Sequence, residues 1–106
     1  MLAKVEVAGN VAFVRMFGEF DFSSQDMLDG AFVDAVKSTA GEVQVDLEKT
    51  VFIDSSVLRM LLKLREMVAK SNKDLLLINC HERLREIFEV GGFDRIFAIR
   101  FAEPGA

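Results

Sequence analysis

Val5 and Val7 alternate with polar neighbours, and the alternation resumes at Val11, Phe13, Arg15 and Phe17 after Gly9-Asn10. Two period-two runs joined by a glycine-containing turn predict a β-hairpin. Beyond Gly18-Glu19-Phe20-Asp21-Phe22, Leu28, Ala31, Phe32, Ala35 and Val36 recur at three- and four-residue spacings. That spacing predicts a helix with one apolar face, capped by Ser23 or Ser24 and closed before Gly41. Val43, Val45 and Leu47 alternate again as a strand, and Val51-Phe52-Ile53 forms a short apolar run leading into Asp54-Ser55-Ser56.

A second helix of about four turns follows, with Leu58, Leu61, Leu62, Arg65, Val68 and Ala69 along one face and Arg59, Lys63, Glu66 and Lys70 along the other. It ends at Ser71-Asn72. Leu75-Leu76-Leu77-Ile78 is apolar without alternation, as a strand covered on both faces would be. A third helix is expected from about Glu82 to Val90, stopping at Gly91-Gly92, where a left-handed cap suits glycine. A final strand is expected within Phe93 to Phe101, centred on Ile96 to Ile99. The order β-β-α-β-α-β-α-β places helices against a mixed, mainly parallel sheet that opens with a hairpin, an α/β fold class.

The 106 residues suit one domain over the whole chain, and 51% apolar with 28% charged residues provide enough material for one core. The tail 102–106 is expected to be mobile. With 13 Lys plus Arg against 17 Asp plus Glu, the formal charge is −4, which argues against a partner made of nucleic acid. A single cysteine, Cys80, cannot form an internal disulfide and points to a cytoplasmic setting. The longest aliphatic run, Leu75 to Ile78, is too short for membrane insertion, and the N-terminus carries Lys4 and Glu6 in place of an apolar leader.

The chemistry-bearing stretch is Asp54-Ser55-Ser56, a carboxylate and two hydroxyls where a helix leaves the sheet. Unpaired N–H groups and the macrodipole favour an anion there, including a phosphate carried by a serine. The same residues also make an ordinary helix cap.

Val45-Asp46-Leu47 followed by Phe52-Ile53-Asp54-Ser55-Ser56-Val57-Leu58 resembles the V-D-L, F-x-D-S-S-G-L signature of the STAS domain family. Gly18-Glu19-Phe20-Asp21 is similar to that family's G-E-L-D, and Gly92-Phe93-Asp94-Arg95-Ile96-Phe97 to its G-L-D-R-L-F. Three ordered matches across most of the chain point to a STAS-like single domain of the soluble bacterial anti-sigma factor antagonist branch. The resemblance implies a binding module with no catalysis and no cofactor or metal of its own. Its implied partner is an anti-sigma factor with serine kinase activity, which the unmodified antagonist binds, so that transcription is regulated by partner switching. The resemblance places Ser55 on the family phosphoacceptor and implies that its phosphorylation would release the partner, with a phosphoserine phosphatase resetting the system. Asp54, Ser56 and Asp21 lie on the positions around that loop.

Val57 replaces the usual glycine of the motif, and Arg59 stands where a small residue is common, so both bear on how a partner approaches. Arg59, four residues beyond Ser55, is in register to reach back toward the acidic loop or a phosphate there. Val57, Met60, Leu64 and Met67 make a second apolar stripe, ordinary as core, while Met60 with Phe22 would also suit a docking patch. The candidate partner-binding residues are therefore Phe22, Val57, Arg59 and Met60. Cys80-His81 sits between a strand and a helix, but one Cys and one His do not complete a metal site.

Two other readings compete. A receiver-type switch at Asp54 would need an acidic pair after the first strand, where Gly9-Asn10 stands instead. A non-switching STAS subunit associated with a lipid or anion transporter would share fold and loop. No G-x-x-x-x-G-K-[ST] phosphate loop is present.

Overall fold

The computed structural model describes residues 1–102. Strands β1 (Leu2–Ala8), β2 (Val11–Phe20), β3 (Glu42–Ile53), β4 (Asp74–Cys80) and β5 (Ile99–Phe101) form one sheet in sequence order. The β1–β2 hairpin is antiparallel, turning at Gly9 with φ 59°, and every later pairing is parallel. Helices α1 (Gln25–Lys37), α2 (Ser55–Lys70) and α3 (Glu82–Val90) occupy the crossovers. The fold class and order of elements are those the sequence pattern predicts.

Ala12, Val14 and Met16 of β2 and Val43, Val45 and Leu47 of β3 are buried in one core with Leu28 and Phe32 of α1. Leu61 and Leu64 of α2 and Leu84 and Phe88 of α3 join the same cluster. The alternate residues lie off that core. There the Asp46 carboxylate, in a residue only 5% exposed, pairs with Arg15 and accepts from the Asn79 amide at 2.9 Å and the Glu48 N–H at 3.0 Å. These partners offset the cost of burying a charge.

Three elements depart from the expectation. First, Val51–Ile53 is no separate run, because β3 is continuous over 12 residues. Two register shifts against β2, between Arg15 and Phe17 and between Gly18 and Glu19, give β3 an extra residue each time and carry it on to pair Ile53 with Phe20. Second, the last strand is only Ile99–Phe101, not one centred on Ile96 to Ile99. Gly92, at φ 73°, ends α3, and the chain then makes a 3₁₀ turn at Phe93–Arg95 that buries Phe97 and stacks it on Phe93 at 6.4 Å. Third, α1 has no serine side-chain cap: Asp21 instead caps a 3₁₀ turn, Phe22–Ser24, which runs directly into the helix. Of the tail expected to be mobile, Ala102 donates its N–H to the Cys80 carbonyl at 2.9 Å, and residues 103–106 lie outside the described residues.

Candidate functional site at the start of helix α2

The pairing of Phe20 with Ile53 sets the geometry. Two residues beyond this pair, β2 reaches Phe22 and β3 reaches Ser55, so both lie at the same end of the sheet. Asp54 is the N-cap of α2, with φ −102° and ψ −178°. One of its carboxylate oxygens accepts the N–H of Ser56 at 3.0 Å and of Val57 at 3.2 Å, together with the Ser56 hydroxyl at 2.5 Å. Donation by the Ser56 hydroxyl, aided by the N–H groups of Val57, Ser56 and Phe22, holds the Asp54 carboxyl below the usual aspartate range against partial burial.

Ser55 is the first residue of α2 and is exposed. Among the described residues no side-chain hydrogen bond involves its hydroxyl, whereas the Ser56 hydroxyl is committed to Asp54. The division of labour is local: the aspartate and second serine cap the helix, and the first serine hydroxyl is left free at its first residue.

The facing loop is built similarly. The Asp21 carboxylate accepts the Ser23 N–H at 2.9 Å and the Ser23 hydroxyl, while the Ser24 hydroxyl accepts the Asp21 N–H at 3.1 Å. This reciprocal cap fixes the turn and leaves Phe22 74% exposed, next to the fully buried Phe20.

The predicted site residues therefore divide. Asp54, Ser55, Ser56, Asp21 and Phe22 come together. Val57 and Met60 do not offer an exposed docking surface: Val57 is fully buried and Met60 7% exposed, both packed with Leu64 in the core, whereas Met67 of the same stripe is half-buried outside it. Arg59 is exposed, and among the described residues it makes no ion pair or side-chain hydrogen bond, so the reach back to the acidic loop is not made. It lines a cleft of about 240 Å³ with Met60, Lys63 and Ser56 of α2 and Gln25 and Asp29 of α1.

The pattern of apolar residues missed two members. Val51 and Phe52, expected as part of a short apolar run, are 46% and 48% exposed at the end of β3. The register shifts rotate them outward. Thr50, just before them, takes an inward position, its hydroxyl donating to the Met16 carbonyl at 3.0 Å, and no pattern in the sequence marks the shift.

Cys80 is buried, which pushes its thiol up to about 12, and the His81 Nε2 is engaged with the Thr50 carbonyl. Among the described residues no three His, Cys, Asp or Glu side chains converge to hold a metal, and no helix is long and apolar enough to cross a membrane.

The sheet order, the opening hairpin and the three crossover helices define an α/β domain. The STAS domain model matches residues 3–104, and the chain belongs to that family. A STAS-domain containing protein of Pseudomonas aeruginosa (strain UCBPP-PA14) is 32% identical over 91 residues, covering 86% of this chain and 89% of that one. An anti-sigma factor antagonist from Mycobacterium paratuberculosis shares the fold with a TM-score of 0.83 at 22% identity, over 93% of this chain and 84% of that one. The unphosphorylated anti-sigma factor antagonist SpoIIAA gives 0.80 at 18% identity, over 97% and 90%. A sulfate transporter family protein from Wolinella succinogenes gives 0.77 at 22% identity, over 93% and 82%.

Proposed function

We propose that this chain is an anti-sigma factor antagonist that binds a serine-kinase regulator in the cytoplasm while Ser55 is unmodified and is released when Ser55 is phosphorylated. The observation that carries this reading is the pairing of an unengaged, exposed hydroxyl at the first residue of α2 with an exposed aromatic, Phe22, held on the adjoining loop. Phe22 and Phe52 supply apolar anchors, and Ser55 lies where the partner must exclude water. A phosphate there adds about −1.5 to −2 charge beside Asp54 and Asp21, repelling a docked surface without rearranging the fold. The helix N-terminus accommodates the same charge internally. Moving occupancy from nearly full to nearly empty requires about 5.5 kcal/mol of differential affinity.

The similarity to two anti-sigma factor antagonists supports the role, and that to a transporter family protein keeps a transporter-associated subunit as the competing reading. Affinity recovery from extract with wild type, Ser55→Ala and Ser55→Asp, followed by incubation of the recovered proteins with ATP, separates them. An antagonist recovers a kinase-like regulator, and wild type but not Ser55→Ala gains a phosphoryl group. Recovery of membrane transport components with no phosphoryl transfer overturns the proposal.

A further inference from the structure

Helices α1 and α2 start from the same end of the sheet, and the seam between them carries two hollows. The first begins beside the Ser55 loop, with Arg59, Met60 and Lys63 opposite Asp29. The second, about 370 Å³, lies at the C-terminal ends, where half-buried Val33, Val36 and Met67 are flanked by Lys37 and Lys70.

The two hollows together are lined by four cations, Lys37, Arg59, Lys63 and Lys70, and one carboxylate, Asp29, on a chain whose formal charge is −4. None of the four cations makes an ion pair among the described residues, where the pairs are Arg15 with Glu6 and Asp46, and Arg85 with Glu89. Lys37 and Lys70 lie in the last turns of their helices, where the macrodipole favours a cation. Arg59 and Lys63, in the second and third turns of α2, have no such support. The seam thus combines an apolar floor with an excess of positive over negative lining residues, against the sign of the molecule as a whole.

We propose that the α1–α2 seam binds an acidic amphipathic helix of the protein partner, its apolar residues on Val33, Val36 and Met67 and its carboxylates between the lysines and Arg59. Helix-in-groove binding uses this combination of spaced apolar anchors and flanking charge. The rise from Arg59 to Lys70 is about 16 Å, which matches a partner segment of about 11 residues. The inference rests on the antagonist reading for the identity of the partner, since the seam opens beside Ser55. The seam's own chemistry requires only an acidic helix.

The probe is a stapled helical peptide of about 11 residues, built of Glu and Leu with leucines on one face, compared with the same peptide carrying Lys for Glu. Both are titrated into the full chain, and backbone amide shifts are followed by NMR. The acidic peptide is expected to bind, with shifts clustered at Val33, Val36, Lys63, Met67 and Lys70, and with affinity that falls as salt rises. Lys63→Glu with Lys70→Glu should weaken it about tenfold or more, while the basic peptide leaves the seam unshifted. Absence of binding by the acidic peptide, equal binding of both peptides, or shifts centred away from the seam overturns the proposal. So does binding to phosphatidylglycerol vesicles that the same double variant abolishes, which would reassign the seam to a lipid surface. Ser55 plays no part in this titration, so failure of the switch and failure of the seam are read separately.

Discussion

One Asp54 carboxylate oxygen takes both the backbone N–H and the hydroxyl of Ser56, the first at 3.0 Å, so cap and second serine form a closed local unit that excludes Ser55. The residues that hold the turn and the residue with a free hydroxyl are thereby neighbours. Asp54→Ala should cost about 1–2 kcal/mol in urea unfolding by removing the acceptor for two N–H groups. Ser55→Ala should stay within about 0.5 kcal/mol of wild type, as a surface change that touches no hydrogen bond. A larger loss from Ser55→Ala than from Asp54→Ala contradicts the assignment.

The lowered Asp54 carboxyl has a defined pH signature. A group depressed in the folded state contributes stability above its unfolded value, near 3.8, and loses that contribution as pH falls through the lower folded value. Urea unfolding should therefore show wild-type stability level from pH 7 to about 5 and declining below about 4. In Asp54→Asn that part of the decline should be absent, and an unchanged acid slope would show that other carboxylates account for it.

Phe20 and Phe22 offer a contrast within three residues. Phe20 is fully buried, so Phe20→Ala should cost about 3–5 kcal/mol. Phe22, 74% exposed, should tolerate Ala within about 0.5 kcal/mol while losing about tenfold or more in affinity for the regulator. Paired denaturation and binding measurements check both, and a Phe22→Ala variant that binds normally removes the aromatic from the docking surface.

The Cys80 thiol, pushed up to about 12 by burial, should be inert in the native state. A thiol-reactive chromogen at pH 8 should label it only after denaturant is added. Rapid native labelling would mean that the β4–α3 junction opens.

The order of elements was legible because periodicity reports burial, and burial here follows a single core. The start of α2 was legible for a separate reason: capping chemistry needs particular side chains at particular spacings, and Asp54-Ser55-Ser56 supplies them. Where register rather than pattern decides, the sequence was silent. Val51 and Phe52 look like core residues until two extra residues in β3 rotate them outward, and the apolar residues after Gly92 look like strand until a 3₁₀ turn stacks Phe97 on Phe93. Val57 and Met60 show the converse. Their place beside the acceptor suggested docking, but a helix packed over a sheet needs a broad apolar face, and both residues belong to it.

The most direct measurement is the affinity of the kinase-like regulator for this protein before and after stoichiometric phosphorylation, with the modified residue located by mass. The account predicts modification at Ser55 and an affinity loss approaching about 10⁴-fold. Modification elsewhere, or a phosphorylated protein that binds as tightly as the unmodified one, would contradict it.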